Sequence, residues 1–171
     1  MEGDDGWPYS GDWPADWLTR YADDPDLWLR GNKHVTSFAR RKGGPLRCLR
    51  RLSPGWRMVL SLTRLSGQVN NAGFQSLWYY EPWTVPPSVE AFRLIGADRL
   101  ALLLESVAAA ADWSGESNAS RDDCELGDDD GSQFDSLYYD LDNSLAPGGY
   151  ELGALVNRYM REHSAEFKPL A

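Results

Sequence analysis

The densest set of ionisable side chains in this sequence is Asp122-Asp123-Cys124-Glu125-Leu126-Gly127-Asp128-Asp129-Asp130-Gly131, with six carboxylates in ten residues. Carboxylates this close either chelate a hard cation or present negative charge to a cationic partner. The calcium-loop register fails, because its first and twelfth ligand positions fall on Leu126 and Leu137. Charge presentation and a merely solvated acidic loop are the two readings that remain. A second set is Gly67-Gln68-Val69-Asn70-Asn71-Ala72-Gly73-Phe74. Its adjacent amides could hold a ligand, but a buried pair satisfying backbone groups at a change of chain direction accounts for them better. Gly73 permits backbone angles that other residues resist there.

The remaining candidates for chemistry are few. His163 sits on the apolar stripe of the last helical segment and reads as a helix-core histidine rather than a general base. His34 adjoins a basic segment and has no metal-ligand spacing. Cys48 and Cys124 form no CxxC or Cys/His cluster, so neither a zinc site nor a disulfide framework is implied. No P-loop, dinucleotide fingerprint, nucleophile elbow or zinc-protease helix occurs. These readings imply a protein that is not an enzyme and uses no cofactor and no metal.

Charge is segregated along the chain. Residues 1–29 carry eight acids and one base, and residues 30–65 carry ten bases and no acid. Residues 112–151 carry twelve acids and only Arg121 as a base. Either the segments neutralise one another in the fold or an acidic face survives. A net charge of −9 argues against direct binding of nucleic acid and favours a basic protein partner. The basic run at 40–51 lacks interleaved aromatics apart from nearby Phe38, which favours an internal partner among the acidic segments over contact with phosphate. The acidic N-terminus is unlike a signal peptide, and the longest apolar run is too short to span a bilayer, so a cytoplasmic protein without a membrane role is expected.

The elements that must position these residues read as helices. Four tryptophans (Trp7, Trp13, Trp17, Trp28) crowd the first thirty residues, among short helical turns, with Gly31 as a plausible stop. Trp13, Trp17 and Trp28 are expected to bury themselves against residues 54–111. Residues 34–52 read as helix broken at Gly43-Gly44-Pro45. Ser53-Pro54 caps a helix apolar on two sides, which belongs at the centre of a domain. Phe74 to Tyr79 form an aromatic helix ended by Pro82, Pro86 and Pro87, and Ser88 caps the next, stopped by Gly96. Leu100, Leu103, Leu104, Val107, Ala108 and Ala111 keep helical spacing, as do Phe134, Leu137, Tyr138 and Leu141, and later Leu152, Val156, Tyr159 and Met160. The expectation is an all-α single-domain bundle of about six to eight helices. Residues 1–53 would form a Trp-rich extension and residues 54–171 the helical domain.

From about Trp56 to Phe167 the chain resembles a bacterial family named for a DNA-mimic protein. The resemblance rests on Gln68-Val69-Asn70-Asn71-Ala72-Gly73-Phe74, on Glu90-Ala91-Phe92-Arg93-Leu94-Ile95-Gly96-Ala97, and on Phe134-Asp135-Ser136-Leu137-Tyr138-Tyr139 with Tyr159-Met160-Arg161-Glu162-His163 and Phe167. The chain departs from it at Ala72, where the family usually has Gly, and at Tyr79-Tyr80-Glu81, which partly replace polar residues. The resemblance implies an all-helical fold and, from the family's named member, an acidic dimer that occupies the DNA-binding surface of a regulator.

A DNA mimic must present charge densely. Asp135, Asp140 and Asp142 on one helix would span about 10 Å at ~1.5 Å per residue. That length of duplex carries roughly six charges, so the loop acids must contribute. The candidate partner-binding set is therefore Asp122, Asp123, Glu125, Asp128, Asp129, Asp130, Asp135 and Asp140, with Asn70, Asn71, Gly73 and Phe74 as the structural motif. The partner expected is a basic protein, either a nucleic-acid-binding regulator or a toxin neutralised by an immunity protein. A second copy of the chain is a further candidate partner.

Overall fold

A computed structural model describes residues 13–110, 132–136, 138–139 and 151–170. The fold is all-α, with no strand among the described residues. Helices α1 (Trp17–Arg20), α2 (Leu27–Arg41) and α3 (Pro45–Leu49) precede a long α4 (Pro54–Tyr80), followed by α5 (Val85–Leu94) and α6 (Asp98–Ala110). Helical residues 132–136 and 138–139 are α7, and α8 is Glu151–Glu162. Of the described residues, 13–60 and 153–170 belong to one compact unit, and 61–110, 132–136, 138–139 and 151–152 to a second.

In the first unit an aromatic cluster pins the end of the chain. The Trp17 and Trp56 rings stack at 5.7 Å, and Trp13 meets Trp17 edge-on at 4.7 Å. Trp56 also packs edge-on against Phe167. After α8 a single 3-10 turn, Ser164–Phe167, leaves carbonyls without helical partners, and side chains supply them. The Trp17 indole N–H donates to the Phe167 carbonyl and the Trp56 indole N–H to the Lys168 carbonyl, each at 2.9 Å. The Ser53 hydroxyl donates to the Glu166 carbonyl and accepts from the Trp56 N–H, which is the expected cap of α4. Asn157 of α8 joins the same unit from the other side, accepting from the Trp28 N–H and donating to the Pro25 carbonyl, both at 2.7 Å.

Trp13, Trp17 and Trp28 are buried as expected. Their ring and hydrogen-bond partners include Trp56, within the expected 54–111, and also His34, Asn157 and Phe167. Gly31 does not stop a helix. It lies inside α2, where an added Cβ would sit 2.9 Å from Met160 Cε, so close packing against α8 explains it. His163 is not a core residue either. It is exposed in the turn after α8, its ring stacked on Tyr159 at 4.2 Å.

The buried histidine is His34, on α2. Its ring lies 4.1 Å from Trp13 and 5.1 Å from Trp56, and its Nε2 accepts the Leu170 N–H at 2.9 Å. Burial, with a smaller contribution from the Arg41 charge, holds its pKa down at about 4, below its ordinary 6.5.

In the second unit α5 ends in a Schellman motif. Gly96, at φ +79°, donates to the Arg93 carbonyl, and the Ala97 N–H reaches back to the Phe92 carbonyl at 2.8 Å. Ser88 does not cap α5. The helix begins at Val85 with Pro86 and Pro87 in its first turn, where missing N–H donors cost nothing, and Ser88 is buried inside it.

Among the described residues the basic run has no ion-pair partner, and the acid-rich segments 1–12 and 112–131 lie outside them. Arg40, Arg41, Lys42, Arg47, Arg50 and Arg51 are all exposed, and the ion pairs found in the described residues lie elsewhere, at Arg20, Arg30, Arg64 and Arg93. Of the acids flanking the run in sequence, Asp24 is held by Arg30 and Glu81 by Arg64.

Because the folded pKa of His34 is depressed, the neutral ring is the stabilising form. Stability should hold above pH 6.5 and fall as pH drops from 6.5 towards 4, by up to about 3 kcal/mol. Urea melts of wild type and His34→Gln, which retains an acceptor but does not titrate, should diverge across that window. Parallel pH profiles of the two proteins would remove His34 as the cause.

Candidate functional site

The Asn-Asn-Ala-Gly segment is a break within α4. Ala72 (φ −155°, ψ 21°) and Gly73 (φ 75°, ψ −179°) leave helical geometry between two helical arms. A positive φ strains any residue with a Cβ, and Gly73 carries that angle alone. The expected change of chain direction is therefore present. The expected burial of the amide pair is not: Asn70 and Asn71 are both exposed, and Asn70 Nδ2 donates locally to Ser66 Oγ at 3.2 Å.

Helix α7 docks on this break. In an unbroken helix the Phe74 N–H would bond to the carbonyl four residues earlier. Here it donates to Asp135 Oδ1 at 2.9 Å. The Tyr139 hydroxyl donates at 3.1 Å to the carbonyl of Val69, the group that an unbroken helix would pair with the Gly73 N–H. One turn of α7 thus supplies an acceptor to the Phe74 N–H and a donor to the Val69 carbonyl, on the two sides of the break. Apolar packing accompanies the polar contacts. Phe134 is fully buried, 4.7 Å from the Phe74 ring and 6.4 Å from Phe92, with Tyr138 stacked on its other side at 6.0 Å.

The site is tight around Asp135. A Cβ on Gly73 would lie 2.8 Å from Asp135 Oδ2, so this glycine answers both the backbone angle and the approach of the carboxylate. Burial pushes the Asp135 carboxyl above the usual carboxylate range, and the Phe74 N–H opposes that shift. Two contacts span the two arms of α4. Ser76 Oγ donates to Gln68 Oε1 at 3.0 Å, and Arg64 pairs with Glu81 at 3.2 Å. Burial raises the Glu81 pKa while Arg64 opposes it.

Asp135 is therefore placed differently from an open charge on an outer helix face: it is half-buried, with one oxygen engaged by the backbone. Asp122, Asp123, Glu125, Asp128, Asp129, Asp130 and Asp140 lie outside the described residues. The break residues Asn70, Asn71, Gly73 and Phe74 and the carboxylate of Asp135 form one structural site. Sequence reasoning missed this pairing, since Asp135 and Phe74 stand 61 residues apart and nothing in the spacing links them. Among the described residues no group of three His, Cys, Asp or Glu is placed to hold a metal ion, and no helix is long and apolar enough to cross a membrane.

A family model described as DMP19-like protein matches residues 50–163. The chain belongs to that family. The matched stretch holds the break in α4, α5 with its terminal glycine, α6 and the docking helix α7. It excludes α1, α2 and α3. No curated protein and no solved structure matches the chain.

Gly73→Ala should cost about 2 kcal/mol or more, above the ~1 kcal/mol of an ordinary helical Gly/Ala difference, because φ is positive and the carboxylate is in the way. Asp135→Ala should cost about 1 kcal/mol through loss of the cap, and Asp135→Asn less, since an amide oxygen still accepts. Urea melts of the three variants would check the order. An unchanged midpoint for Gly73→Ala would contradict the geometry.

Proposed function

We propose that the protein is a non-enzymatic inhibitor that binds a basic protein and covers its nucleic-acid-binding surface, in the manner of a DNA mimic. The observation that carries this reading is the coincidence of family membership with charge. The family match covers residues 50–163, and the stretch 61–152 carries sixteen acids against four bases, a net −12. A charge of that size attracts cationic surfaces and speeds their encounter. The candidate contact residues remain Asp122, Asp123, Glu125, Asp128, Asp129, Asp130 and Asp140. Asp135 serves the reading as an anchor rather than a contact. It fixes α7 at the break in α4, with the acidic run before it in sequence and Asp140 and Asp142 after it.

Exposed rings on the same stretch fit an interface with a cationic protein. Tyr79 and Tyr80 are 50% and 66% exposed and pack edge to face at 4.9 Å. Aromatic faces of this kind accept arginine and lysine side chains from a partner.

The test uses immobilised protein to capture partners from extracts of the source cell, followed by binding measurements on the partner identified. The expected partner is basic, binds nucleic acid, and is displaced by a competing DNA duplex. Its association should weaken steeply with salt, since exposed pairs are screened beyond ~8 Å at physiological ionic strength. Changing Asp128, Asp129 and Asp130 together to Asn should slow association several-fold and leave the melting midpoint unchanged. A partner indifferent to salt, to duplex competitor and to the triple substitution sinks the proposal.

A further inference from the structure

The six cations at the end of α2 and around α3 form a surface with no assigned role. Arg40, Arg41, Lys42, Arg47, Arg50 and Arg51 fall within twelve residues, and no acid occurs anywhere from residue 27 to residue 80. All six are exposed, and no hydrogen bond or ion pair holds any of their side chains among the described residues. The turn between the helices gathers them. Gly43, at φ +85°, ends α2 and leaves room for the Arg47 side chain, whose Nη1 lies 3.2 Å from where a Cβ on Gly43 would be. Arg47 of α3 is thereby folded back beside the last turn of α2, which carries Arg40 and Arg41. The Lys42 ammonium rests over the Phe38 ring at 5.5 Å, which orients it without neutralising it.

Part of this charge suits the negative end of α2, where cations are favoured. That accounts for Arg40 and Arg41 at the helix terminus. It does not account for Arg50 and Arg51, which follow α3.

We infer that this surface binds the phosphate backbone of a nucleic acid, independently of the acidic stretch 61–152. Five of the six are arginines, whose planar donor forks match phosphate oxygens. A carboxylate-bearing protein would be the rival occupant. Protein interfaces take most of their affinity from buried aromatic or apolar anchors, and Leu46 is the only large apolar side chain exposed among these residues. Charge alone suffices for phosphate. No exposed ring lies within residues 40–51 for a base to stack on, so binding should be indifferent to sequence. The net charge of −9 is no obstacle at physiological salt, because fields are screened beyond ~8 Å and the local sign then decides.

The experiment is fluorescence anisotropy of the purified full chain with a labelled 24-base-pair duplex of arbitrary sequence, from 25 to 200 mM NaCl. The expected result is binding at low salt, with log affinity falling against log salt at a slope of about −5 if all six cations engage. The variant carrying Arg47→Glu, Arg50→Glu and Arg51→Glu should bind at least tenfold more weakly with its circular dichroism unchanged. If that variant fails to fold, Arg50→Glu with Arg51→Glu reads the same effect. Absence of binding at 25 mM NaCl overturns the inference, as does equal binding by wild type and variant. Equal or tighter binding of a polyglutamate peptide overturns it in favour of an acidic protein partner. No cationic protein takes part, so the result is independent of the inhibitor reading.

Discussion

The second unit depends on a break in its longest helix. At Gly73 the backbone takes an angle that side chains with a Cβ resist, and the Phe74 N–H and the Val69 carbonyl lie on the two sides of the break. Asp135 and Tyr139 pair with them from α7. The constraint runs in both directions. Without the break α7 has nothing polar to dock on, and without α7 the break leaves polar groups unsatisfied. Phe74, Phe92, Phe134 and Tyr138 fill the space between with apolar contact.

This coupling gives a carboxylate an unexpected task. In an acidic protein read as an imitation of nucleic acid, each aspartate invites assignment to the outer surface. Asp135 points inward, and its raised pKa reflects the desolvation that follows. Its interaction with a backbone N–H is local and charge-assisted, so it persists where an exposed ion pair would be screened. Structure and charge display are thus divided among residues of one type. One aspartate anchors the helix, and those before and after it in sequence remain candidates for contact.

The first unit solves a different problem with similar means. The short 3-10 turn after α8 and the residues that follow it take their remaining backbone partners from two indoles, a hydroxyl and an imidazole. Tryptophan suits this role because it buries a large apolar area while its one N–H still finds a carbonyl. The same packing desolvates His34 and holds its pKa down at about 4. Exposed cations at the α2–α3 turn belong to this unit as well, so the sign of charge differs between it and the stretch 61–152.

The sequence by itself determined the all-helical class, because apolar spacing of three and four is a local property that each helix carries alone. It also determined the Ser53 cap, the stop at Gly96 and the need for an unusual angle at Gly73, since each depends on a few neighbouring residues. The resemblance to the DNA-mimic family was legible for the same reason, in short motifs that need no partner. Tertiary structure decided everything that joins distant residues. Helix α2 runs through Gly31 because Met160 packs against it, His34 rather than His163 is buried, and Asn70 and Asn71 face outward. It decided that Asp135 closes on Phe74 across 61 residues. Periodicity shows which face of a helix is apolar; what comes to lie against that face, and which polar groups it leaves stranded, is settled only when the chain closes on itself.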